Sequence, residues 1–112
     1  MRLLFLCSKN KLRSPTAELI FSEYANLETD SAGLNRDAEI RLANDQIDWA
    51  DLIFVMEKTH KTKLTRDYAH SLAGKRVIVL GIPDRYRFME ESLIEILKRK
   101  CQPYLPVQLE KE

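Results

Sequence analysis

Cys7 and Arg13 frame the run Cys7-Ser8-Lys9-Asn10-Lys11-Leu12-Arg13-Ser14, a C-x5-R-S pattern set between an apolar segment and a helix start. A loop that leaves a strand and enters a helix presents backbone N–H groups to an anion, and the helix N-terminus adds positive potential, so a phosphate is favoured there by geometry and charge together. The same potential favours the thiolate form of Cys7, which is the nucleophile. Arg13 offers a planar fork that matches two oxygens of a phosphoryl group, a geometry Lys does not have. Ser8, Lys9, Asn10, Lys11 and Leu12 form the rest of the cradle. Among them Asn10 is best suited to a positive φ or to tying the loop through its side chain. Ser14 is placed to donate a hydrogen bond to the Cys7 thiolate. A phosphate ester held here meets a nucleophile and an anion cradle, and the remaining need is an acid for the leaving group. Asp84, after Pro83 on the loop behind the last apolar segment, is the candidate. Tyr86 lies beside it and, with Phe88, offers an aromatic wall.

These groups need elements to hold them. Leu3 to Leu6 is a continuous apolar run followed by polar residues, as in a strand buried on both faces and then a loop. Ser14 as N-cap with Pro15 in the first helical position starts a helix carrying Ala17, Ile20, Phe21 and Tyr24. A short second strand is read over Glu28 to Ala32, ending at Gly33. Asp37 to Trp49 is compatible with one helix or two short ones, Asp51 to Met56 reads as a third strand, and Glu57 to Leu72 as an exposed helix. Arg76 to Ile82 is the fourth strand. A last helix buries Leu93, Ile94, Ile96, Leu97 and Cys101, with Lys98, Arg99 and Lys100 where the helix dipole favours cations. Strands alternating with helices imply an α/β domain: an open four-stranded parallel sheet with helices on both faces and the phosphate-binding loop after the first strand. Ligands bind such sheets beyond the carboxyl ends of the strands, where the loops holding Cys7 and Asp84 both lie.

Composition narrows the rest. The 112 residues are 45% hydrophobic and 31% charged, which suits one domain spanning 1–112. With 18 Lys and Arg against 17 Asp and Glu, the net charge of +1 lacks the basic excess of a nucleic-acid binder. No window approaches the roughly 18 apolar residues of a membrane span, and the apolar run before Cys7 is too short for a secretory signal. Cys7 and Cys101 are far apart, in neither a disulfide framework nor a metal-ligand spacing, so a reduced, cytoplasmic protein without metal or cofactor is expected. His60 and His70 sit on a polar stretch and read as solvated side chains.

The residues Cys7, Asn10, Arg13, Ser14 and Pro15, followed by Ala17-Glu18, resemble the low-molecular-weight protein tyrosine phosphatases, whose signature is C-x-x-N-x-x-R-S-P at the end of an N-terminal strand. Asp30-Ser31-Ala32-Gly33 resembles the end of that family's second strand, and Asp48-Trp49-Ala50-Asp51-Leu52-Ile53 with Met56-Glu57 resembles the approach to and exit from its third. The resemblance covers roughly the whole chain. It implies a metal-independent phosphocysteine mechanism in which Cys7 attacks phosphorus, Arg13 and the loop amides hold the oxygens, and Asp84 protonates the departing phenol and then activates water. Phosphorylated proteins or small aryl phosphates are the implied substrates, and inorganic phosphate the product. The chain differs from the family pattern at Lys9, where Gly is usual, and at Leu12, where many members keep a second cysteine. It also differs at Arg85, where Pro usually follows the acid, and in its short length.

Other readings remain beside this one. A phosphate- or phosphopeptide-binding regulatory module would keep the loop without turnover, as Lys9, Leu12 and Arg85 suggest. An arsenate reductase would need further cysteines, of which only Cys101 is left, and a sulfurtransferase would have no use for Asp84.

Overall fold

The computed structural model describes residues 1–109. In chain order they form β1 (Arg2–Cys7), α1 (Arg13–Phe21), β2 (Glu28–Gly33), α2 (Asn44–Trp49), β3 (Leu52–Val55), α3 (Lys58–Asp67), β4 (Val77–Val79) and α4 (Glu91–Cys101), then a 3-10 turn at Gln102–Tyr104. The four strands make one sheet in the order β2-β1-β3-β4, with every neighbouring pair parallel. The chain moves from β1 outward to β2, then back across β1 to β3. That reversal lies at β1 and β3, and in open α/β sheets such a switch opens a crevice at the strands' carboxyl ends. The loop beginning at Ser8 sits there.

The strand period of two explains why β1 can be apolar throughout. Leu3, Phe5 and Cys7 join one core with Ala17, Ile20 and Phe21 of α1 and Leu93, Leu97 and Cys101 of α4. Leu4 and Leu6 point the other way, into a second core with Ile47, Ile53, Val55 and Leu64. Each face of the sheet is thus covered by helices, as expected. Phe5 sits between the rings of Phe21 and Phe54, with centroids at 5.5 and 5.2 Å. Such a position fixes the height of β1, and hence of Cys7 at its end, against both neighbours. Among the described residues no helix is long and apolar enough to cross a membrane.

Several boundaries differ from the sequence reading. Helix α1 begins at Arg13, so Pro15 lies within the first turn, where its missing N–H still leaves no intrahelical bond unmade. Ser14 is inside the helix and its hydroxyl is turned to Cys7 instead of capping. The stretch from Asp37 is helical only from Asn44, because Glu39 gives its N–H to the loop after β1 and Ile40 and Leu42 pair with Gly33 at the end of β2. Helix α3 ends at Asp67, well before Leu72, and β4 is confined to Val77–Val79. Nor is α3 wholly exposed: His60 and Leu64, four residues apart on one face, are both buried.

Candidate active site

The loop after β1 is held from outside by the segment that follows β2. The N–H groups of Leu34, Asn35 and Glu39 donate to the carbonyls of Cys7, Ser8 and Lys9 at 3.0, 2.9 and 2.9 Å. A trans peptide is planar, with the carbonyl of one residue and the N–H of the next directed oppositely. Fixing those carbonyls outward therefore turns the N–H groups of Ser8, Lys9 and Asn10 inward, toward the cleft. Among the described residues no backbone N–H from Ser8 to Leu12 donates to another protein group. Together they make a concave set of free donors of the kind that receives an anion. Asn10 has φ 58°, the left-handed turn that folds the loop back on itself.

The close approach of strap and loop requires Gly33. A Cβ there would lie 2.7 Å from the Ser8 carbonyl oxygen and 2.5 Å from the Ala38 Cβ, so the end of β2 has room for hydrogen only.

Inside the loop the hydroxyl and amide protons are ordered. The Asn10 side-chain NH2 spends both protons, on Ser14 Oγ at 3.0 Å and Ser31 Oγ at 2.9 Å. Each hydroxyl, having accepted, has its own proton to give. Ser31 donates to the Glu18 carboxylate, and Ser14 lies 2.9 Å from Cys7 Sγ. With one lone pair of Ser14 Oγ taken by Asn10, the Ser14 proton is available to Cys7 Sγ.

Arg13 is almost wholly buried, and its charge is satisfied from two elements. One terminal nitrogen donates both to Glu57, just before α3, and to the Ile82 carbonyl at 2.8 Å. These bonds fix the plane of the guanidinium and leave its other terminal nitrogen and Nε for a ligand. Asp84 Oδ1 lies 3.8 Å from that Nε, at the rim, with its side chain 65% exposed. The loop that carries Asp84 is tied to the start of α1 through Met89 N–H to Thr16 Oγ1 at 2.9 Å, and Thr16 Oγ1 donates to the Leu12 carbonyl at 2.7 Å. Loop and acid thus share one anchor.

Cys7, Ser8, Lys9, Lys11, Leu12, Arg13 and Asp84, with Asn35, line one cleft of about 330 Å³. Asn10 and Ser14 are buried behind it and shape it. Lys9 is drawn to the Asp37 carboxylate at 3.5 Å, on the strap side. Tyr86 does not line the cleft; it packs against the core of α1 and α4, and Arg85 lies over its ring at 5.9 Å. Arg85 is thereby engaged away from Asp84. Cys101 is sealed in the same core, where burial pushes its thiol up to about 12.

Three site residues escaped the sequence reading. Glu57 holds Arg13, and Asn35 both lines the cleft and receives Lys63 Nζ on its Oδ1 at 2.8 Å. His60, expected to be solvated, is 4% exposed. Its Nδ1 accepts the Glu57 N–H and its Nε2 lies 3.0 Å from Ser8 Oγ. Burial, then the Arg13 charge, holds its pKa below the usual 6.5. Its position three residues into the turn after Glu57, with Leu64 one turn on, was the available signal that it faces inward.

No protein-family model matches the sequence. No curated protein matches it either. Solved structures do. A low-molecular-weight protein tyrosine phosphatase from Streptococcus pyogenes superposes with a TM-score of 0.76 at 16% identity, over 98% of this chain and 94% of that one. Wzb of Vibrio vulnificus, solved in complex with benzylphosphonate, gives 0.71 at 22% identity over 92% and 95%. A YwlE arginine phosphatase variant with a phosphorylated active-site serine gives 0.63 at 20% identity over 92% and 88%. Alignment over nearly the full length of each, with the parallel sheet and the Cys7 loop at its switch point, shows that the chain has the fold of the low-molecular-weight protein tyrosine phosphatases.

Proposed function

We propose that the chain is a phosphomonoester hydrolase, protein-tyrosine-phosphatase-like, that works through a phosphocysteine. The observation that carries this reading is the convergence on one cleft of Cys7, unpaired loop amides, a buried Arg13 with free donors and the Asp84 carboxyl. The phosphoryl oxygens take the amides of Ser8 to Leu12 and the guanidinium, both strongest toward the equatorial oxygens of the transition state. The Cys7 thiolate attacks phosphorus, the S–P bond forms, and the P–O bond to the alcohol or phenol breaks as Asp84 gives that oxygen its proton. In the second step Asp84, now a carboxylate, takes a proton from water as the water oxygen attacks phosphorus. The S–P bond breaks, returning the thiolate and releasing inorganic phosphate. Ser14 stabilises the sulfur anion at both ends of the cycle.

The substrate class is a phosphorylated protein side chain or small aryl phosphate. Structural neighbours described as tyrosine and arginine phosphatases support a phosphoryl-protein substrate. A phosphorylated active-site serine in the cysteine-to-serine variant of one of them supports covalent transfer to an active-site side chain.

The test is hydrolysis of an aryl phosphate with chelator present, for wild type beside Cys7→Ser and Asp84→Asn. Turnover lost with Cys7 and reduced with Asp84 is the expected result. Phosphate binding without turnover in wild type would replace this reading by that of a phosphate-binding module.

A further inference from the structure

The first turn of α3 touches the loop twice, and only one of those contacts, Glu57 on Arg13, has a role in the mechanism above. The other is His60 on Ser8, residues 52 apart in sequence. A backbone N–H can only donate, so the bond from Glu57 N to His60 Nδ1 at 3.0 Å leaves Nδ1 without a proton. The ring proton of a neutral imidazole is then on Nε2, and Nε2 donates to Ser8 Oγ, 3.0 Å away. The hydroxyl of Ser8 thus has its acceptor side occupied and its proton left over. Its carbonyl is already engaged by Asn35 N–H, and the residue lines the cleft with Cys7 and Arg13. The ring is held neutral as well: burial and the neighbouring Arg13 guanidinium lower its pKa against the opposing pull of Glu57 and Asp84.

We propose that His60 is a positioning residue that turns the Ser8 hydroxyl proton into the cleft, so that Ser8 acts as a side-chain donor to the bound phosphoryl group. The inference rests on the phosphate-site reading of the cleft and deepens it. It gives the start of α3 two functions: Glu57 sets the plane of the guanidinium, and His60 sets the Ser8 hydroxyl. A histidine that merely closed the start of α3 would need only its Nδ1 contact with Glu57.

Two substitutions separate those roles. In His60→Asn the side-chain oxygen takes the place of Nδ1 and keeps the bond to Glu57 N–H, but the side chain is too short to reach Ser8. In His60→Gln the amide nitrogen reaches the place of Nε2 and the contact at Glu57 is lost. The readouts are the dissociation constant for inorganic phosphate, kcat and KM for an aryl phosphate, and the melting temperature. Expected is a loss of phosphate affinity of about tenfold in His60→Asn, with a matching rise in KM, and near wild-type affinity in His60→Gln despite its lower melting temperature. Ser8→Ala, which alters only a loop side chain, should weaken phosphate about as much as His60→Asn, and the double variant should be no weaker than either. Wild-type affinity in Ser8→Ala, or losses that multiply in the double variant, would overturn the proposal. A wild-type protein that binds phosphate without hydrolysing the aryl ester would contradict the phosphatase reading alone, since the affinity comparison still decides the role of His60.

Discussion

Gly33 is where the fold and the site are most tightly joined, and Gly33→Ala is the sharpest perturbation of that joint. The added methyl would fall 2.7 Å from the Ser8 carbonyl oxygen, 3.0 Å from the Lys9 carbonyl carbon and 2.5 Å from the Ala38 Cβ. Two of these three are backbone atoms of the phosphate loop, so relief requires the loop and its strap to separate by several tenths of an ångström. Overpacking of this kind costs about 1–3 kcal/mol, and in a domain of this length that lowers Tm by roughly 4–12 °C. The larger effect falls on function. Separation loosens the bonds from Asn35 and Glu39 that turn the loop amides inward. Displacement of a catalytic array by ~1 Å costs about a hundredfold, so a shift of half that size should cost roughly tenfold in phosphate affinity and in kcat/KM. Gly74→Ala is the control: its φ of 79° makes alanine strained, but nothing lies within 4 Å of the new Cβ. It should lose about 1–2 kcal/mol of stability and leave phosphate binding unchanged. Thermal melts and phosphate titrations on the two variants make the comparison. Wild-type phosphate affinity and turnover in Gly33→Ala would refute the claim that the strap sets the cradle.

Further outcomes follow from the same geometry. Asp84→Asn should lower kcat/KM, which reports the steps up to cleavage of the ester bond, by roughly 10²–10⁴-fold for alkyl phosphates, whose leaving groups need a proton, and much less for nitrophenyl phosphate; equal loss of kcat/KM for both would remove Asp84 from the acid role. In the native protein iodoacetamide should label Cys7 and spare Cys101, which is fully buried with its thiol pushed up to about 12, and inorganic phosphate should protect Cys7. Peptide mapping of the labelled protein reads both results. Because the folded pKa of His60 lies below its ordinary value of 6.5, the unfolded chain binds more protons in the interval between them. Stability contributed by the neutral ring is therefore present above about pH 6.5 and lost as the pH falls toward the folded value. Urea midpoints should drop less on acidification in His60→Gln than in wild type.

What could be read in advance was the chemistry carried by a short span of chain. Cys7, Asn10, Arg13 and Ser14 lie within one loop, and an apolar run before them and a helix signal behind them place that loop at a strand end. The alternation of elements gave the parallel sheet for the same reason, since each strand and helix announces itself by its own periodicity. Contacts made across the sheet were not legible. Glu57 meets Arg13 from 44 residues away, and the charge at the end of an apolar strand looks like a helix cap. His60 lies among Lys58, Lys61 and Lys63, so its inward face is hidden by the polarity of its neighbours. Asp37 to Trp49 was read as one helix or two short ones from scattered apolar positions, but Glu39 gives its N–H to the Lys9 carbonyl and Ile40 and Leu42 pair with Gly33, which no local pattern reports. Tyr86 shows the opposite error: proximity to Asp84 in sequence suggested a wall for the substrate, and packing against α1 and α4 turned the ring aside.

The central claim is that Cys7 carries the phosphoryl group between substrate and water. Rapid acid quench of Asp84→Asn during turnover of nitrophenyl phosphate, followed by peptide mass mapping, tests it directly, because loss of the carboxylate slows release from the cysteine more than attack on a good leaving group. One phosphoryl group on the peptide holding Cys7, absent after pre-alkylation, is the expected result. Sustained turnover with no phosphoryl group on Cys7, or undiminished turnover in Cys7→Ser, would contradict it.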